Sequence, residues 1–414
     1  MSPYVDHNGN LVVERIRKDF PILNQRINDK PLVYFDNAAS TQKPKVVIDS
    51  ISNYYQTMNA NIHRGIHTLA ERATVAYEDT RISLQKFINA SSSEQIIFTR
   101  GATEAINLIA STYGVQNIAQ GDCILVSAME HHSNIVPWQI LAARVGAQVK
   151  IIPINDSGEL ILEAYQALLN EKVKLVAVNH VSNTLGTINP IETITELAHK
   201  VGAVVVIDGA QSVSHLDIDV QALDIDFFVL SSHKFYGPTG IGALYGKKHL
   251  LEQMPPYHGG GEMIKEVTYE GFSINELPYK FEAGTPNIAD TVALKSAIDY
   301  INFLSKDKIR THENHLLNYA TSLLTAIDGL KIIGTAKEKV SVISFVIEGV
   351  HHQDIGILLD QKGIALRTGH HCTQPLMGRF GISGTSRASF AVYNTIEEID
   401  IMVDALKNAI KMLR

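Results

Sequence analysis

Apolar positions in the middle of this chain fall into short, nearly unbroken runs. CILVSAM, QVKIIPI, KLVAVNH, AVVVIDGAQ and DFFVLSS each hold a Val/Ile/Leu/Phe core. Between them lie QILAARVG, LEAYQALLN and ETITELAHKVG, with apolar residues at helical spacing. Continuous apolar strands alternating with helices predict a parallel sheet buried on both faces. Upstream, SSSEQIIFTRG predicts a turn and a strand, and ATEAINLIASTYG a helix that begins directly after Gly101. Earlier still, PLVYFDNAASTQKP predicts a short strand and a small-residue turn, followed by helices over about 44–57 and up to about 89.

After about residue 295 the rhythm changes. TVALKSAIDYINFLSKD and NHLLNYATSLLTAI predict long amphipathic helices, and VSVISFVIE and SRASFAVYN predict strands. IALRTGHHC predicts a short strand with a loop, and EEIDIMVDALKNAIKML a closing helix. The expectation is an α/β fold with a large domain over 30–295. A smaller α+β domain over 296–414 would pack with residues 1–29.

Composition narrows the function classes. The chain has 414 residues, 45% hydrophobic and 19% charged, with a formal net charge of −7. No basic block is present, so a nucleic-acid partner is not expected. No apolar run is long enough to span a membrane, and the N-terminal residues lack a secretion-signal pattern, so a cytoplasmic protein is expected. With two cysteines and no CxxC pair, neither a disulfide framework nor a metal site is expected. Cys123 opens an apolar strand and reads as packing. Cys372 lies in LRTGHHCTQP, an electropositive, partly exposed setting that favours a reactive thiolate.

Candidate chemistry gathers at the carboxyl ends of the expected strands, where open α/β sheets bind ligands. Gly101, Ala102 and Thr103 open a helix, which makes an anion seat or a simple N-cap. His131, His132 and Asn183 follow other strands. Asp208 ends AVVVID, and a buried acid there needs a partner. It either caps the next turn or keeps a pyridine nitrogen protonated. Lys234 lies in SSHKFYGPTG, just after a buried strand. A desolvated lysine is nucleophilic, whereas a surface lysine beside a loop is not remarkable. With Gln211, Ser231 and His233 nearby, the set suits pyridoxal 5′-phosphate held by phosphate, ring nitrogen and aldehyde carbon.

These residues sit in YFDNAASTQKP, IHRGIHTLAERAT, FTRGATEAINL, MEHHSNIVPW, NHVSNTLGTINP, IDGAQS, SSHKFYGPTGIG, FEAGTPN, LRTGHHCTQP and SRASFAVYNT. Through these motifs, from about Tyr34 to Thr395, the chain resembles the SufS-type, group II cysteine desulfurases of the class V aminotransferases. The resemblance implies a fold type I pyridoxal-phosphate enzyme with a mostly parallel seven-stranded sheet. It implies that Lys234 holds the cofactor covalently and then acts as base, and that Asp208 pairs with the ring nitrogen. His131 would stack on the ring and move a proton, while Asn183 would lie near the ring hydroxyl and the substrate. Thr103, Gln211, Ser231 and His233 would bind the phosphate, with Thr285 reaching the phosphate of the other subunit of a homodimer. Arg387 would take the substrate carboxylate, and Ala39, His63, Arg64 and Arg367 would line the pocket, with His63 and Arg64 in the same chain or across the dimer. Cys372 would accept sulfur from L-cysteine as a persulfide and pass it to a SufE-like or SufU-like acceptor for iron–sulfur cluster assembly. Ala102 departs from the Thr-Thr pair of many relatives, so Thr103 and backbone N–H groups would have to suffice there. The alternatives are a selenocysteine lyase, a transaminase or kynureninase-like hydrolase, which need no Cys372, and a non-catalytic scaffold.

Overall fold

The structure is a computed structural model, and it describes residues 3–414. Its centre is a seven-stranded sheet. The strands are β1 (Ile96–Thr99), β2 (Cys123–Ser127), β3 (Gln148–Ile152), β4 (Val173–Asn179), β5 (Val204–Asp208), β6 (Phe227–Ser231) and β7 (Gly242–Gly246). The order across the sheet is β1-β7-β6-β5-β4-β2-β3. Only β7 runs antiparallel to its neighbours. The predicted α/β fold is therefore present. The strand β7, however, follows the GPTG turn, and its apolar run GALYG is too short and glycine-rich to stand out.

Both faces are covered at the centre of the sheet, which explains the continuous apolar runs there, whereas the edge strand β3 is mostly exposed and buries only Ile152. Val176, Val178, Val205, Ile207, Phe228 and Leu230 face one apolar cluster. Their neighbours Leu175, Ala177, Val206, Phe227 and Val229 face the other. Each fully buried side chain of this kind stabilises the fold by about 1.5–3 kcal/mol. Helix ends follow local chemistry. The helix Val136–Val145 has Pro137 in its first turn and ends on Gly146, whose φ of 76° is left-handed.

The C-terminal region has its own antiparallel sheet of β8 (Leu330–Ile333), β9 (Val342–Ile347), β10 (Arg367–Gly369) and β11 (Thr385–Ser389), in the order β8-β9-β11-β10. The early strand Val33–Tyr34 does not join the large sheet. It pairs in parallel with Ile364–Ala365, so the turn after it is carried to the mouth of the C-terminal sheet. The N-terminal entry packs on the same region, with Arg17 2.8 Å from Glu398. Among the described residues no helix is long and apolar enough to cross a membrane.

Candidate active site

The parallel strands end at Ser127, Asn179, Asp208 and Ser231. Asp208 is paired with Asn179 on one side and Val229 on the other. A cavity of about 210 Å³ opens above these ends. Ala39, Ala102, Thr103, His131, Asn183, Asp208, Ser231, His233, Lys234, Arg367, Cys372 and Arg387 all line it. Residues separated by more than 300 positions thus meet because strand ends and the C-terminal sheet face one another.

Lys234 ends a single 3₁₀ turn, Ser232–Lys234, directly after β6. Among the described residues its amine has neither an ion pair nor a hydrogen bond. Burial lowers its pKa, and the nearby Asp208 opposes that shift. Burial raises the pKa of Asp208, and Lys234 again opposes. One Asp208 oxygen accepts the Ala210 N–H at 3.0 Å, so the other can serve a ligand. The turn is clamped from behind by an unforeseen residue. Lys43 donates to the His233 carbonyl at 2.9 Å and to the Thr41 carbonyl. Burial without a counter-ion brings Lys43 down to about 7.

The helix Ala102–Ile109 points its first turn at the cavity. Gly101 has φ 151°, and a Cβ there would lie 3.1 Å from Ser231 Oγ. The conformation favours glycine, and a Cβ would crowd the Ser231 hydroxyl. The Ala102 N–H donates to Ser231 Oγ at 2.9 Å. That N–H is therefore engaged, and Thr103 and the Ser231 hydroxyl are left facing the cavity. Gly209, in IDGAQ, is fixed by packing, since a Cβ would overlap the Phe228 ring at 1.9 Å.

His131 is neutral. Burial, then the Lys234 charge, pulls it down to about 3. The Ser133 N–H donates to its Nδ1 at 3.1 Å, so Nε2 carries the ring proton. Burial also lowers His233 to about 4.

Arg387 is buried, with 2% of its surface exposed. One nitrogen donates to the Asn183 carbonyl at 2.9 Å and another to Asp36 at 3.1 Å. Among the described residues its Nε has no partner. Asp36 also faces Arg367 at 3.5 Å. Sequence reasoning missed Asp36, although it closes an apolar run just as Asp208 does. It also missed His371, which lines the cavity, and Glu130 beneath it. Glu130 accepts from Ser127 Oγ, Asn134 Nδ2 and the Asn179 N–H. Burial lifts Glu130 to about 8.

Four expected residues do not line this cavity. Gln211 is buried and donates its amide to the Ala38 carbonyl at 2.6 Å, bracing the wall. Thr285 is exposed. His63 lies 2.9 Å from Glu78, and Arg64 lies 3.1 Å from Glu262. Within one chain, then, His63 and Arg64 belong to a separate carboxylate cluster, because the loop that carries them turns toward the helix Thr68–Phe87.

Cys372 and His371 have φ of 57° and 51°. Such left-handed positions cost non-glycine residues about 1–3 kcal/mol each and persist only where surroundings hold them. The free amine, the second Asp208 oxygen, the two hydroxyls and the unpaired Arg387 Nε match the aldehyde, ring nitrogen, phosphate and substrate carboxylate of a pyridoxal-phosphate site. The cofactor is pyridoxal 5′-phosphate.

The aminotransferase class-V family model matches residues 33–402. A protein of Synechococcus elongatus named cysteine desulfurase is 52% identical over 395 residues, which span 95% of this chain and 63% of that protein. A probable cysteine desulfurase of Vibrio cholerae is 50% identical, over 97% of this chain and 100% of that protein. The crystal structure of the Escherichia coli cysteine desulfurase CsdA superposes with a TM-score of 0.91 at 38% identity, covering 97% of this chain and 99% of that one. The chain belongs to the aminotransferase class-V family.

Proposed function

We propose that the chain is a cysteine desulfurase of the SufS-like, group II branch. It takes sulfur from L-cysteine, leaves L-alanine and carries the sulfur as a persulfide on Cys372. The observation that carries the reading is the meeting of Lys234, Asp208, Arg387 and Cys372 at one cavity. The identity to proteins named cysteine desulfurase supports it.

When bound, pyridoxal phosphate supplies an electron sink for the substrate α-carbon. Lys234 would hold the cofactor by its amine and would serve as the base for the α-proton. Asp208 would keep the ring nitrogen protonated. Thr103, Ser231 and His233 would hold the phosphate. Arg387 orients the substrate carboxylate through a planar fork, with Arg367 at the mouth and Asn183 and Ala39 as walls. The Cys372 thiolate attacks the substrate sulfur. An S–S bond forms as the substrate C–S bond breaks, and the electron pair goes to the carbon skeleton, which is protonated to alanine. His131, with its proton on Nε2, serves as proton donor.

The persulfide passes to a SufE-like or SufU-like acceptor for iron–sulfur cluster assembly. Thr285, His63 and Arg64 serve the cavity of a second copy, so the working unit is a homodimer. Residues 30–295 act as the cofactor domain, and residues 1–29 with 296–414 act as the domain that brings in Cys372. The same residues would accept selenocysteine. A transaminase or kynureninase-like hydrolase has no use for Cys372 in the cavity.

The test is holoprotein with L-cysteine and a dithiol, measuring alanine and sulfide. Equal amounts of both are expected, and Cys372→Ser should keep the cofactor but release no sulfide. Sulfide at the wild-type rate from Cys372→Ser would remove the reading.

A further inference from the structure

His131 and His132 are adjacent, yet only His131 lines the cavity. His132 faces the other way, onto the loop of Cys372. Its main-chain N–H donates to the Cys372 carbonyl at 2.8 Å. Its Nε2 accepts the Gln374 N–H at 3.1 Å. It therefore grips the loop at the thiol residue itself and two residues beyond. The His132 ring lies 5.6 Å from the His370 ring, and His370 Nδ1 accepts the Cys372 N–H at 3.2 Å. Burial, then His370, lowers the His132 pKa, which keeps Nε2 free to accept.

The loop needs such a grip. His371 and Cys372 are consecutive left-handed residues. Other bonds hold its far side: Asn183 Nδ2 donates to the His371 carbonyl at 2.9 Å, and the Thr184 and Thr373 hydroxyls meet at 2.9 Å. The His132 main-chain N–H and its imidazole join the loop to the segment that carries His131, and of the two only the imidazole can be removed by substitution.

We propose that His132 is a positioning residue: its imidazole, through the Gln374 N–H, sets where the Cys372 sulfur stands relative to the substrate sulfur. This rests on the reading of Cys372 as sulfur acceptor. One dipeptide thus serves two parts of the site, with His131 on the cofactor side and His132 on the nucleophile side. The imidazole makes no contact with the cavity, so its effect falls on the sulfur-transfer step and not on cofactor or substrate binding.

The grip depends on an acceptor at the reach of Nε2. Glutamine puts its Oε1 near that position, whereas asparagine puts its Oδ1 near Nδ1, which is too short. The experiment uses holoenzyme without an acceptor or reductant and follows the first turnover of alanine. His132→Ala should slow that turnover at least about tenfold, since small misplacements of a reacting atom cost that much or more. Its KM for L-cysteine and its cofactor absorbance should stay within about twofold of wild type. His132→Gln should recover most of the rate and His132→Asn should not. A His132→Ala rate within about twofold of wild type, or equal rates for the Gln and Asn variants, would overturn the proposal. If His132→Ala fails to load cofactor, the Gln and Asn pair decides. Cys372→Ser is the control: wild-type alanine from it would mean that the nucleophile reading had failed, and the anchor with it, whereas an inactive Cys372→Ser beside a fully active His132→Ala would fail the anchor alone.

Discussion

Two buried clusters of charge sit in this molecule, and they are built in opposite ways. Around Arg81 every charge is matched. Arg81 donates to Glu282 at 2.7 and 2.9 Å, to Glu78 at 2.8 Å and to the Ile96 carbonyl at 2.8 Å. Its guanidinium also lies 4.5 Å from the Phe98 ring centre. Glu78 is held down at about 2, against burial, by His63 and Arg81. The Arg81 pKa is raised, because Glu282 and its neighbours outweigh burial. Around Lys234 the directions reverse. Burial wins at Lys234, Asp208 and Arg387, and each charged form is disfavoured. A cluster that satisfies its charges serves the fold. A cluster that leaves an amine free and a guanidinium nitrogen unpartnered is arranged for a ligand.

Mutations separate the two. Lys234→Ala should lower alanine formation by about a thousandfold or more while leaving the denaturation midpoint near wild type; a large loss of stability would make Lys234 a structural residue like Arg81. Arg81→Met leaves Glu282 and Glu78 without their cation. It should cost about 3–5 kcal/mol of stability, read in a denaturant melt, while the folded fraction still loads cofactor. Loss of cofactor from folded protein would erase the distinction. Arg387→Ala should raise KM for L-cysteine about 10–100-fold, the worth of charge-assisted hydrogen bonds, with cofactor affinity unchanged. Equal loss of both would contradict its role.

The last effect, read only as a pH dependence, concerns Glu130, which lies beneath the cavity but resembles neither cluster. Its carboxyl titrates at about 8 instead of 4.5. Between those values the native state keeps a proton that the unfolded chain has released. Glu130 therefore contributes stability at low pH and loses it as pH rises toward 8. Glu130→Gln should flatten this decline, measured as the change in unfolding free energy between about pH 5 and about pH 8. An unchanged slope would show that Glu130 is ionised throughout.

Much of this was legible in the chain because its signals are local. Apolar runs marked five of the seven sheet strands in the middle of the chain and β1 upstream, since a strand buried on both faces must be apolar throughout; the edge strand β3 is the exception, mostly exposed with only Ile152 buried. Lys234, Asp208 and Thr103 each stand where a strand hands over to a turn or helix, and that position is readable one element at a time. The strand Val33–Tyr34 was equally visible, but its partner was not. Strand pairing joins residues about 330 positions apart, and short apolar stretches do not specify which sheet they enter.

The amino-acid sequence alone determined the strand ends, the reactive lysine, the acid beside it and the thiol in its polar loop, because each follows from residue type and near neighbours. Tertiary structure decided the rest. It made Asp36 the partner of Arg387, turned His132 onto the Cys372 loop, sank Glu130 until it holds its proton, and drew His63 and Arg64 away from their own chain's cavity. Each of these depends on which distant groups share a low-dielectric space, and pairing, burial and pKa are properties of that space and not of the residue.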